Sequence, residues 1–201
     1  MPFLPRRFAI AVLTLAFSLP AAAADPGRAE AIVAGRCSLC HGIGGESASP
    51  VFPRLAGQHA EYIAKQLADF KSGKRNSDTM KSQAEELTAD EMKALGAFFA
   101  GKPGKARRAS DQELLGVGKY VFNRGNSFSG VPSCASCHGE RGLGTPLLPR
   151  LAGQHPRYIE DQLKQFNKRE RTNDNAIMHT IASKLSELEA HAVAEYIATL
   201  D

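Results

Sequence analysis

Two stretches of the chain carry the same amphipathic stripe. Tyr62, Ile63, Gln66, Leu67 and Phe70 fall at i, i+1, i+4, i+5 and i+8, and Tyr158, Ile159, Gln162, Leu163 and Phe166 repeat that spacing. The pattern lays one face along a helix, so it predicts a helix in each place. Thr88-x-x-Glu91 and Ser186-x-x-Glu189 are capping-box signatures, each opening a further helix. Leu95, Phe98 and Phe99 supply the buried stripe of the first, and Val193, Tyr196 and Ile197 that of the second. Met92 lies inside the first of these helices, opposite Ala190 in the second, and reads as core. Opening helices are predicted at Asp25-Pro26, where proline suits the first helical position, and at Ser110-x-x-Glu113. No run of alternating β-branched residues reads as a strand, so the predicted fold class is all-α.

The stripes belong to a tandem duplication. Pro53-Arg54-Leu55-Ala56-Gly57-Gln58-His59 returns unchanged as Pro149-Arg150-Leu151-Ala152-Gly153-Gln154-His155, 96 positions later. Met80-x-x-x-Ala84-x-x-Leu87 matches Met178-x-x-x-Ala182-x-x-Leu185 at an offset of 98, which places a two-residue insertion just before Met178. Gly101-Lys102-Pro103-Gly104-Lys105-Ala106-Arg107-Arg108 reads as a solvated connector. The expected organisation is a first domain over 25–104 and a second over 105–201. At about 75 to 100 residues, each half has only a marginal side-chain core.

Composition changes this picture little, because 43% hydrophobic and 23% charged residues among 201 are ordinary for a globular protein. The N-terminus adds more. Arg6 and Arg7 precede an apolar run from Phe8 to Leu19 and then Pro20-Ala21-Ala22-Ala23-Ala24, the order of a secretory signal. Residues 1–24 are therefore expected to be a signal peptide cleaved after Ala24, and the run is shorter than the roughly 20 residues a bilayer requires. Its removal takes two arginines and no acids, so the formal charge falls from +4 to +2. That balance implies no nucleic-acid partner.

All four cysteines stand in Cys37-Ser38-Leu39-Cys40-His41 and Cys134-Ala135-Ser136-Cys137-His138. This is the attachment pattern of c-type haem: two thiols three positions apart form thioethers with one porphyrin, and the adjoining histidine reaches the iron. A zinc ribbon would need its pairs about 15 to 20 residues apart, and a thioredoxin-like pair would need a βαβ setting. Structural disulfides would leave the two histidines without a role. The expected cofactors are two covalently bound haem c groups, attached outside the cytoplasm, in the periplasm. Their four propionates would bring the net charge to about −2.

Met80 and Met178 repeat at 39 and 40 residues beyond His41 and His138, and are expected as sixth ligands that favour ferrous iron. His59 and His155 also repeat and are the rival ligands; the alternative expectation for them is a packing or hydrogen-bonding role at a helix start. His179 and His191 have no matching histidines and read as incidental. An axial histidine usually donates its free ring N–H to a carbonyl, and Pro53 and Pro149 are the expected acceptors. Arg54 and Arg150 are expected to pair with haem propionates.

These motifs, with the Gly125-Asn126-x-x-x-Gly130-Val131-Pro132 lead into the second site, resemble the cytochrome c4 family over the whole mature chain. The resemblance implies two tandem class I cytochrome c domains, each wrapped around one covalent haem. It implies His41/Met80 and His138/Met178 ligation, and haems facing each other across the domain interface. It also implies an electron carrier rather than an enzyme, passing electrons from the cytochrome bc1 complex towards a terminal oxidase, with possible peripheral membrane association. The cytochrome subunit of flavocytochrome c sulfide dehydrogenase is similar in plan, with the flavoprotein subunit as partner. No dinucleotide-binding glycine motif occurs here, so any flavin would sit on another polypeptide. A dihaem peroxidase fits poorly, since it needs an open iron and a longer chain.

Overall fold

The computed structural model describes Met1 and residues 26–201. The expected signal peptide and its cleavage point lie outside these residues. The described chain forms ten α-helices and no strand, with one isolated bridge between Asn126 and Val131. The first half holds α1 (Pro26–Ile32), α2 (Ser38–His41), α3 (Ala60–Lys71), α4 (Asp78–Ala84) and α5 (Ala89–Ala100). The second holds α6 (Leu115–Arg124), α7 (Ala135–His138), α8 (Pro156–Asn167), α9 (Ile177–Ala182) and α10 (Glu187–Ala198). None of the described helices is long and apolar enough to cross a membrane.

Each half has its own small core. Ile32, Val33, Ile63, Phe70, Leu87, Met92, Leu95 and Phe99 form the first, and Val121, Phe122, Ile159, Val193, Ala194 and Ile197 the second. Helix crossings are close: a Cβ on Gly118 of α6 would stand 2.0 Å from the Ala192 carbonyl oxygen of α10, so only glycine fits there. Both predicted capping boxes form, at Thr88 with Glu91 and at Ser186 with Glu189. Their glutamates also hold the opening segments, Glu91 accepting from Arg28 and Glu189 from Asn126.

Two expectations need correction. Helix α6 starts at Leu115, and Ser110 does not cap it. The backbone N–H groups of Ser110 and Asp111 donate to the buried Glu195 of α10, while the Asp111 carboxylate takes the N–H groups of Glu113 and Leu114. Asp111 thus replaces Ser110 as the local cap, and a tertiary carboxylate takes the N–H groups ahead of it. The connector is also more than a solvated linker. The side chains of residues 105–108 are exposed, yet Lys105 gives its carbonyl to Arg54 and Arg107 gives its N–H to Ala198.

His191 of α10 is tied to Glu160 of α8 by a 2.8 Å hydrogen bond, with the Asp111 carboxylate 3.9 Å away. That bond first, then the charges of Glu160, Glu195 and Asp111, raise its pKa against the opposing effect of burial. A raised folded-state pKa stabilises below the unfolded value and loses the contribution as pH rises through the folded one. The melting-temperature advantage of the natural chain over His191→Gln should therefore be largest near about pH 5 and vanish by about pH 9. An advantage constant across that range, measured by thermal unfolding, would show that the imidazolium is not the stabilising species.

Candidate functional site

The two Cys-x-x-Cys-His motifs sit on short helical turns reached by different routes. In the first half, α1 runs into a π-helical turn, Val33–Cys37, and directly on into α2. In the second half a loop separates α6 from the motif, and Cys134 stands at the N-cap of α7. Gly125 makes that loop possible. Its φ is +70°, and a Cβ there would come within 2.1 Å of the Val131 carbonyl. The i, i+3, i+4 spacing puts the second thiol and the imidazole one turn beyond the first thiol, on the same face.

Both motif histidines are buried and held alike. His41 Nδ1 lies 2.8 Å from the Pro53 carbonyl oxygen and His138 Nδ1 lies 3.1 Å from that of Pro149, the acceptors anticipated from the sequence. A carbonyl can only accept, so Nδ1 carries the proton and Nε2 keeps its lone pair. Nε2 has no hydrogen-bond partner among the described residues in either ring. Burial lowers both imidazole pKa values, outweighing the carbonyl bond, which favours the neutral ring a metal requires.

The loop that delivers each proline repeats as well. The Gly45 carbonyl accepts from the N–H groups of Leu55 and Ala56 at 2.7 and 3.0 Å, and Gly142 does the same for Leu151 and Ala152 at the same distances. Gly57 then donates to the Phe99 carbonyl at the end of α5, and Gly153 to that of Ile197 in α10. The Pro-Arg-Leu-Ala-Gly segment is thereby pinned from both sides.

None of the four cysteines is tied into a disulfide, so each is available for thioether formation. Burial pushes the Cys134 thiol up to about 11 and raises that of Cys37. Paired thiols beside an imidazole with a free Nε2 fit covalent haem twice over. Met80 is half-buried on α4 and packs against the first core; Met178 is half-buried as the second residue of α9.

The rival histidines are used elsewhere. His59 and His155 are the N-cap residues of α3 and α8, and their Nε2 atoms meet carbonyls of the opposite half, those of Leu143 and Ser47, at 2.8 and 3.0 Å. Ser47 in turn donates its hydroxyl to the carbonyl of Cys40, so the seam between the halves is one residue from the first motif. Gln154 clamps the backbone of Arg54, accepting from its N–H and donating to its carbonyl, and Gln58 clamps Arg150 in the same way. Residues that looked like a repeated haem-pocket motif therefore also build the contact between repeats.

Arg54 and Arg150 point into this seam. Arg54 donates Nε to the Glu46 carbonyl and Nη1 to those of Lys105 and Gly153. Arg150 Nε reaches the Ala152 carbonyl. Burial lowers the pKa of both, and for Arg54 the nearby Arg107 and Arg150 add to this. A second pair of arginines, Arg75 and Arg171, escaped the sequence reading. They too are related by 96 positions, but the residues immediately on either side of them do not match.

The comparisons with known proteins agree with this geometry. The family described as Cytochrome c matches twice, over residues 27–124 and 118–201. The cytochrome c4 of Thiocapsa roseopersicina is 42% identical over 177 residues, 86% of this chain and 91% of that protein. The thiosulfate dehydrogenase electron acceptor of Thiomonas intermedia is 35% identical over 206 residues, 98% of this chain and 92% of that protein. Among solved structures, reduced recombinant cytochrome c4 from Pseudomonas stutzeri superposes with a TM-score of 0.83 at 34% identity, covering 89% of this chain and all of that one.

Replacing Cys134 and Cys137 together by alanine should leave a chain with one covalent haem. Mass spectrometry would show the loss of one haem, and the main haem absorption per chain would halve. An unchanged mass would show that the second motif is not an attachment site.

Proposed function

This chain belongs to the cytochrome c4 family of dihaem electron-transfer proteins, and on that premise we propose that it works in the periplasm. There it takes electrons from the quinol-oxidising branch of a respiratory chain, the cytochrome bc1 complex, and delivers them to a terminal oxidase or another acceptor. The two covalent haem c groups supply one-electron chemistry by cycling between ferric and ferrous iron. The observation that carries the reading is the duplicated carbonyl-held imidazole beside two thiols, in two halves locked by reciprocal bonds.

The chain's own residues have assignable parts. His41 and His138 are the proposed proximal ligands through Nε2, oriented by Pro53 and Pro149. Met80 and Met178 are the proposed sixth ligands, a soft thioether that raises the potential relative to a second imidazole. Filling both axial positions supports a carrier rather than a catalyst. The periplasmic assignment rests on the signal-like N-terminus and on where c-type haem is attached. Exposed Leu39 and Ile43 in and just beyond the first motif offer a small apolar contact for brief docking, either free in solution or at the membrane surface.

A second reading has one observation in its favour. The Thiomonas intermedia relative, similar over nearly the whole chain, is named for accepting electrons from a dehydrogenase. The present chain would then drain a separate dehydrogenase subunit, a flavoprotein such as that of sulfide dehydrogenase included.

The test is the optical spectrum of protein purified from its native periplasm, oxidised and then reduced. A weak far-red ferric band with intensity for two haems, lost on reduction and without co-purifying flavin, is expected. Met80→His should remove half of that band and lower one of the two potentials in a redox titration. An unaltered band and potential would remove Met80 from the ligand set, and a co-purifying flavin would favour the dehydrogenase reading.

A further inference from the structure

A third imidazole is held as the two motif histidines are. His179 Nδ1 lies 3.0 Å from the carbonyl oxygen of Phe166, in the last turn of α8, and Nε2 has no hydrogen-bond partner among the described residues. The carbonyl can only accept, so Nδ1 carries the proton and Nε2 keeps its lone pair, the tautomer already assigned to His41 and His138. The ring is half-buried and stands one residue after Met178, the proposed sixth ligand of the second half. At the matched place in the first half, next to Met80, stands the exposed Lys81, which offers no imidazole.

The segment that carries His179 is also the less firmly held of the two methionine segments. Helix α4 starts at an ordinary N-cap: Ser77 is extended, and its hydroxyl accepts from the Met80 N–H. Helix α9 has only six residues, and its N-cap is Ala176, which has no polar side chain to offer. The two-residue insertion before Met178 lies where Asn175 and Ala176 are both left-handed, at φ 56° and 65°. Neither is glycine, and a Cβ is disfavoured in that region, for alanine more than for asparagine. One carboxylate holds the turn: Asp174 accepts from the Ala176 N–H at 3.3 Å and from the Met178 N–H at 2.5 Å. Strain of this kind persists only where the surroundings enforce it. Successive helical positions differ by about 100° and about 1.5 Å, so a shift of α9 by one position would carry residue 179 to where residue 178 stood. The Phe166 carbonyl would not be orphaned, since it keeps the backbone N–H of Arg169 at 3.1 Å.

We propose that His179 is a reserve sixth ligand of the second haem, binding iron through Nε2 when the Met178 thioether lets go. It keeps that iron six-coordinate, so that a carrier does not become an open iron able to take up oxygen or peroxide. The exchange swaps one neutral donor for another: an iron–sulfur bond breaks, an iron–nitrogen bond forms, and no electron or proton moves. An imidazole in place of a thioether lowers the potential, so the second haem in that state is the poorer electron acceptor. The first half has no such reserve.

The inference rests on the reading of Met178 as a ligand, which the far-red ferric band tests separately. In Met178→Ala carrying two haems the band should fall to half. A band at full strength would remove Met178 from the ligand set, and the reserve role with it. With the band halved, low-temperature electron paramagnetic resonance of the ferric protein should show no high-spin iron, and the ferrous protein should bind no carbon monoxide. Adding His179→Gln should turn one iron per chain high-spin and admit one carbon monoxide per chain. Met80→Ala, whose neighbour is Lys81, should leave the first iron open to carbon monoxide at neutral pH. High-spin iron that binds carbon monoxide already in Met178→Ala would overturn the proposal, as would a second iron still low-spin in the double variant. Should Met178→Ala fail to retain both haems, the bulkier Met178→Leu, with and without His179→Gln, carries the same test with the same outcomes.

Discussion

One hydrogen bond, made twice, constrains the rest of the molecule: imidazole Nδ1–H to a proline carbonyl. An imidazole that is to bind iron through Nε2 must have its other nitrogen protonated and its ring held. The carbonyl that does this belongs to a loop, and a loop carbonyl is only as well placed as the loop. The Gly45 and Gly142 carbonyls on one side, and the ends of α5 and α10 on the other, supply that placement. The helices carry the site indirectly, by fixing where the loop can lie.

The same segment that orients the histidine also joins the two halves. Gln58, Gln154, His59 and His155 each spend side-chain hydrogen bonds on backbone groups of the opposite repeat. A displacement at the seam would therefore move the proline carbonyls, and through them the imidazoles. Two small cores that would each be marginal alone gain a shared polar interface. Arg75 and Arg171 extend that interface, each bonding a tyrosine of the opposite half.

Much of this was legible in the sequence. The period-3.6 stripes, the capping boxes at Thr88 and Ser186 and the Cys-x-x-Cys-His motifs are local signals, each readable within about ten residues, and the duplication needs only the comparison of one short segment with another. Even the Pro53 and Pro149 acceptors could be inferred, since their exact repetition pointed to a constrained role. The α6 start was misread because Asp111 caps the turn before Leu115, while Glu195, 85 residues away from Ser110, takes the Ser110 N–H that a capping box would have paired with Glu113. Arg75 and Arg171 went unnoticed because they match as single residues whose immediate neighbours diverge.

Local chemistry and spacing thus determined the helical class, the two haem attachment points and the orienting carbonyls, because each is written in a motif or period no more than about a dozen residues from the next. Only the tertiary structure decided what the repeated Arg, Gln and His side chains touch. Most of their partners lie on the opposite repeat, roughly 85 to 110 residues distant in sequence, and no periodicity along one chain segment encodes which surface a second segment will present to it.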